Sequence, residues 1–270
     1  MLNSGVFAQA FRQPLSALYP ASSGYSFYQR DVFSFLSNPA SLAFVQNFSA
    51  GVYGEQRFML AELGVYHLAA ALPMGSGAVG VCARYSGFSG YQETSLGFAY
   101  ARRLGEKGAL GIQFNRIHFR VPGIISDAAI SADLGALIRV APKLTIGLHL
   151  HNPAGGLFVK TDERLPSTFK LGIGFDASQK FHISAELLKE SGMPVSFLSG
   201  FQYQFQQRFF IRAGINSAIA SGFAGFGLSW AGMRADLTAS LHPQLGISPG
   251  FMLVSFPGKK SPEKPNSVHP

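Results

Sequence analysis

The sequence predicts an all-β protein, a transmembrane antiparallel β-barrel of about 14 strands. Three observations point there. Charged residues make up 13% of the 270-residue chain and hydrophobic residues 47%, about half the charge an ordinary soluble domain carries. No apolar run reaches the roughly 18 residues of a membrane-spanning helix; the longest candidate, "LGVYHLAAALP", is short and contains His67. Much of the chain alternates apolar and polar residues with a period of two, as a two-faced strand does. Low charge without a membrane helix leaves a closed barrel, because only helices and barrels satisfy their backbone in lipid.

The elements follow in chain order. "MLNSGVFAQAFRQP" holds Ala8-Gln9-Ala10, a signal-peptidase-like pattern. Residues 1–10 therefore read as the remnant of a signal peptide, with Phe11 as the first mature residue. Residues 11–46 precede the first strand and carry "FLSNPASLAF". Asn38-Pro39 has the chemistry to cap a short helix over "ASLAF". Strands are expected near 47–53, 61–71, 77–86, 93–102 and 109–119, with a slip of phase near Asn115 that reads as a bulge. The later strands fall near 128–140, 143–151, 168–176, 180–188, 195–206, 208–216, 222–230, 232–242 and 250–256. Residues 257–270, "PGKKSPEKPNSVHP", are polar and rich in Pro and Lys, and read as a disordered tail.

Two of these strands show the pattern. In "AAISADLGALIRV", Ala128, Ile130, Ala132, Leu134, Ala136, Ile138 and Val140 share one face; Leu137 is the exception on the other. In "KLTIGLHLHNP", Leu144, Ile146, Leu148 and Leu150 oppose Lys143, Thr145, Gly147, His149 and His151. Glycine (31) and phenylalanine (25) are abundant, which suits a wall with bulky residues facing lipid and small ones facing inward. Connections alternate between short turns ("PMGSG", "LGEKG", "APK", "QQR") and longer loops ("RVPGIISD", "NPAGGLFVKTDERLP", "HPQLGISP"). That is the two-rim pattern of outer-membrane barrels. An even strand number then puts both ends of the barrel on the short-turn, periplasmic side. A soluble barrel would point its apolar residues inward and coat its exterior with charge; this chain has too little charge for that.

With the apolar faces toward lipid, the opposite faces line the lumen. They carry Asp133, Arg139, His149, His151, Glu186, Arg212, Arg234 and Asp236, with Arg84, Asn115, Lys170 and Asp176 on the same faces. His149 and His151 lie about 7 Å apart on one strand face, with Asp133 expected on the neighbouring strand. A metal site needs three or four supported ligands, and a polar lumen wall explains the pair without one, so no metal or cofactor is expected. No G-x-S-x-G elbow or phosphate loop occurs, and no serine is marked as a partner for the histidines, as an outer-membrane phospholipase would need. The chain is read as a non-enzyme. The net charge of +8 is scattered rather than striped, which argues against nucleic acid. The lone Cys82 allows no intramolecular disulfide and reads as a small packed residue.

The Asn38-Pro39-Ala40 box resembles the NPA box of the FadL-like outer-membrane barrels. More specifically, "NPASLAF", "GLHLHNPAG", "FIRAGINSAIASGFAGFGLSWAGMRADLTAS" and "LHPQLGISPGFML" together resemble the PorV/PorQ-type barrels of the Bacteroidetes outer membrane. The resemblance spans most of residues 30–256. It implies a 14-stranded barrel at 47–256 with residues 11–46 entering the lumen as a hatch, closed by Asn38, Pro39 and Ala40. It also implies a non-enzymatic component of type IX secretion or surface attachment, partnered by outer-membrane lipids and by secretion or surface proteins. The alternative it carries is a FadL-like transporter of hydrophobic small molecules. A soluble or structural β protein is the remaining alternative. The short loops depart from the secretion members, and no cargo-binding residue is carried over.

Overall fold

The computed structural model describes residues 24–155, 158–160, 165–206, 208–217 and 220–256. Residues 1–10, read above as a signal-peptide remnant, the stretch from 11 to 23 and residues 257–270, read as a tail, lie outside the described residues.

Each expected strand is present, although the one expected near 61–71 starts only at Gly64, after a 3₁₀ turn at Ala61–Leu63. The strands are β1 (Ser49–Gln56), β2 (Gly64–Met74), β3 (Gly77–Phe88), β4 (Tyr91–Leu104), β5 (Gly108–Val121), β6 (Ile125–Ala141) and β7 (Leu144–His151). They continue with β8 (Thr168–Asp176), β9 (Phe181–Glu190), β10 (Ser196–Phe205), β11 (Phe209–Asn216), β12 (Ser221–Trp230), β13 (Met233–His242) and β14 (Gly246–Ser255). Each pairs antiparallel with its sequence neighbours, and β1 pairs with β14 to close the ring. Closure leaves no edge strand with unpaired backbone groups, which lipid would penalise by several kcal/mol per group.

The two faces are inverted relative to a soluble protein. Outside are large exposed apolar side chains such as Leu68, Phe98, Phe114, Ile130, Leu171 and Leu237. Inside, among the buried residues, are Gln113, Asp133, Lys170, Glu186, Arg212 and Asp236. An apolar exterior this continuous is stable only against an apolar solvent. Leu171→Arg, at mid-strand on the outer face, is therefore expected to destabilise the lipid-embedded barrel by about 2–4 kcal/mol, and Leu104→Arg at a strand end by about 1 kcal/mol or less. Denaturant unfolding from lipid vesicles reads the difference; equal effects would contradict a lipid-facing wall.

Three expectations are corrected. No bulge occurs near Asn115, which pairs in register with Gly97 and Ser131. The apparent slip of phase arises because Ile117 and Phe119 turn inward under a loop, packing with Phe158 and Leu165. Apolar residues change sides there because the strand has risen past the belt, where what covers the inner face is protein. A register shift falls instead between Arg139 and Ala141. Finally, "RVPGIISD" and "HPQLGISP" are mostly strand, with only residues 122–124 and 243–245 between the paired segments. Long connections remain at 57–63, which forms 3₁₀ turns, and between His151 and Thr168.

Leu137, the exception in its strand, is buried. It points inward and sits beside the Tyr25 ring over Gly147, whose missing side chain makes the room.

Candidate functional site

The site begins with residues 24–46, which lie inside the ring. Helix α1 (Ser34–Ser37) is followed by a 3₁₀ helix, Pro39–Phe44. Tyr25, Phe33, Phe35, Asn38, Ala40 and Leu42 are each at most 1% exposed. Such short helices are marginal alone; burial against the wall holds them.

Asn38 accounts for the fold of its own segment. Its Oδ1 accepts from the Ala40 backbone N–H at 3.0 Å, capping the 3₁₀ helix. Pro39 occupies the first helical position, where its missing N–H costs nothing. The other end of the same amide donates to wall carbonyls, Nδ2 to Leu148 O at 3.1 Å and to Ala136 O at 3.3 Å. An amide offers an acceptor and two donors on one planar group, so one side chain joins helix to barrel. The wall comes close here because it lacks side chains. A Cβ at Gly135 would overlap Asn38 Oδ1, and one at Gly172 would overlap the Tyr25 ring.

Ionic contacts fasten the rest. Arg234 Nη2 donates to Asp31 Oδ2, and its Nε donates to Asp236 Oδ2 at 2.9 Å. Arg212 Nη2 donates to Asp236 Oδ1 at 3.3 Å. Asp31 Oδ1 in turn accepts from the Phe33 backbone N–H at 2.9 Å. Across the lumen, Tyr25 donates its hydroxyl to Glu186 Oε2 at 2.6 Å. Burial, and then the Glu186 carboxylate, hold the Tyr25 phenol well above its ordinary pKa, so it stays a donor. Asp176 accepts from Ser26 Oγ at 2.7 Å and from the Phe27 N–H at 2.8 Å, with His182 Nδ1 at 2.9 Å. Arg139 lies over the Phe27 ring at 3.3 Å. The segment thus touches β1, β3, β5 to β9 and β13 and crosses the lumen.

Above it, toward the long-loop rim, lies a cavity of about 90 Å³. Leu36 contributes from the inner segment; the other lining residues include Gln113, Asn115, Asp133, His149, His151 and Lys170. The two histidines and the aspartate do converge. His151 Nδ1 is 2.6 Å from Asp133 Oδ1, and His149 Nε2 is 3.8 Å from Asp133 Oδ2. Asn115 donates to Asp133 at 3.2 Å. The ring nitrogens of His149 have no hydrogen-bond partner among the described residues. No group of three or more His, Cys, Asp or Glu among the described residues has the arrangement of a metal site.

On the outer wall a second, apolar hollow of about 660 Å³ lies over β1–β4, lined by Ala50, Ala70 and Ala83 together with Ala69, Cys82 and Gly97. Ala69 is buried on the inner face, and Gln113 Nε2 reaches to 3.9 Å from Cys82 Sγ. Small side chains thus line the inner face of the wall behind the hollow, where Gln113 and Asn115 pack against Cys82 and Gly97. The backbone ladders β1–β2, β2–β3 and β3–β4 are unbroken there.

The sequence-based candidates separate into two groups. Asp133, His149 and His151 meet at the cavity; Arg212, Arg234 and Asp236 meet at the inner segment. Glu186 on β9 contacts Tyr25, and Arg139 on β6 contacts Phe27. Sequence reasoning missed Tyr25, Ser26 and Asp31. The signal was there: "GYSFYQRD" just before the NPA box is a dense polar and aromatic run in a chain with little charge.

No family model matches the sequence, and no curated protein matches it. Solved structures do. The CymD monoaromatic hydrocarbon channel superposes with a TM-score of 0.67 at 13% identity, over 86% of this chain and 94% of that one. This chain shares its barrel fold with that channel. The Pseudomonas putida toluene transporter TodX gives 0.64 at 11% identity, over 90% and 96% of the two chains. A Pseudomonas aeruginosa FadL homologue gives 0.60 at 12% identity, over 86% and 95%. The narrower PorV/PorQ resemblance finds no counterpart among these.

Proposed function

We propose that this chain is a non-enzymatic conduit for hydrophobic small molecules in a Gram-negative outer membrane, with residues 24–46 acting as a hatch. One observation carries the reading: an inner cavity and an apolar hollow on the lipid side back onto the same two strands, β3 and β4, where Cys82 and Gly97 meet Gln113 and Asn115. The entering molecule meets the cavity from the long-loop rim. The hatch blocks the way straight down, so the way out into lipid is a transient parting of the β3–β4 wall, whose ladder is closed in this structure. The fold shared with hydrocarbon channels supports it. The cavity's lining differs from a purely apolar pocket, so a molecule with an apolar body and one hydrogen-bonding group suits it better than a plain hydrocarbon. On this reading the short-turn rim and both ends of the barrel are periplasmic.

Cys82→Trp fills the β3–β4 wall and is expected to cut uptake of such a molecule into proteoliposomes several-fold while the barrel still shows heat-modifiable migration. Unchanged uptake would sink the lateral route. Purification in mild detergent addresses function more broadly. Recovery of bound fatty acid or aromatic compounds supports the conduit. Recovery of secretion subunits instead would restore the type IX reading, which no described loop favours.

A further inference from the structure

The two rims differ in charge. At the short-turn rim, Arg102, Arg103, Lys107, Lys143, Lys180 and Arg208 are all exposed, and they occupy consecutive turns from β4 to β11. Glu106 is the only acidic residue in the described turns of this rim. None of these basic side chains makes an ion pair among the described residues. The opposite rim mixes signs: Arg116, Arg120 and Lys160 stand with Glu62, Asp127 and Glu190.

A second observation fixes the depth of the basic arc. Just inside it, on the outer face, is a girdle of aromatic rings. Phe175, Tyr203 and Trp230 are exposed by 43%, 40% and 42%. Phe181 packs edge-on to Tyr203 at 6.3 Å, and Phe205 stacks on Phe209 at 5.2 Å. Aromatic girdles sit at headgroup level. Lys180 immediately precedes Phe181, Arg208 immediately precedes Phe209, and Arg102 follows Tyr100 on the same outward face. The bases therefore emerge at the level of the lipid phosphates. Unpaired cations at that depth gain most from anionic headgroups.

We propose that the short-turn rim is a docking surface for anionic phospholipid headgroups of the leaflet on that side. The rim holds them as an arc over β4–β11; among the described residues, the turns of this rim at β2–β3 and β12–β13 carry no basic residue. The inference rests on the outer wall lying in lipid and is independent of which molecule crosses the barrel.

The test is native mass spectrometry of the detergent-purified protein titrated with phosphatidylglycerol or with phosphatidylcholine of the same chains. The wild type is expected to retain phosphatidylglycerol preferentially, and the preference should shrink at high salt. The variant K107Q/K143Q/K180Q/R208Q should lose the preference by about tenfold or more, and the corresponding Lys→Arg variant should keep it. Heat-modifiable migration reports folding of each variant. Should the Gln variant not fold, the wild-type lipid and salt comparison decides alone. Equal retention of the two lipids by the wild type would overturn the proposal, as would a preference that survives in the folded Gln variant. So would an acidic protein that co-purifies with the wild type and not with the Gln variant while the wild type shows no lipid preference.

Discussion

Arg234→Met is expected to release the inner segment without dismantling the barrel. The guanidinium bridges Asp31 on the segment to Asp236 on the wall, and all three are buried. Asp236 keeps Arg212 as a partner; Asp31 loses its ion-pair partner. Removing one member of a buried pair costs about 3–5 kcal/mol, mostly for the charge left behind. The outer wall does not depend on this contact, so the cost falls on docking of the segment. Limited proteolysis should begin to cut within 24–46, and ion conductance in planar bilayers should rise. Adding Asp31→Asn removes the stranded charge and should recover much of the protection, which a general loss of packing would not allow. A protected segment in the single variant would show that the ionic lock is dispensable.

Asn38→Asp should be more damaging than Asn38→Ala, although aspartate is the closer match in shape. Aspartate keeps the cap on Ala40 but replaces the two N–H donors by a carboxylate oxygen facing the carbonyls of Leu148 and Ala136. Two buried acceptors lose their partners, at about 1–3 kcal/mol each, and like partial charges are pressed together. Alanine loses the same donors and the cap, but buries no charge. The expected loss for Asp is about 2–5 kcal/mol, read as a fall in the temperature at which residues 24–46 become protease-sensitive. An aspartate variant as stable as the wild type would mean that Asn38 is only a cap.

The barrel was legible because its signal is repeated. A lipid-facing strand needs an apolar residue at every second position, so Phe169, Leu171, Ile173 and Phe175 announce both the strand and its outer face. The strand ends were less legible. Near Ile117 and Phe119 the surroundings of the inner face change from lumen to loop protein, and a two-state alternation cannot express that. Charged lumen residues were recognisable as inward-facing, but their partners were not, because pairing depends on separations that no local pattern records. Tyr25 meets Glu186 across 161 positions. The glycines at 135 and 172 read only as small lumen residues; that they form a seat becomes visible once the segment occupies it.

The bond from Asp31 to Arg234 joins positions 203 apart in the chain. The segment is made first, yet an anchor of its lock belongs to β13, the penultimate strand. Contacts that distant form late, since loop closure must be paid for before they reward it. The order of assembly is thereby constrained. Residues 24–46 have to wait within an unfinished sheet until β13 arrives, and the β1–β14 seam then seals around them. A chain whose β1–β14 seam closes early leaves residues 24–46 on the wrong side of the wall.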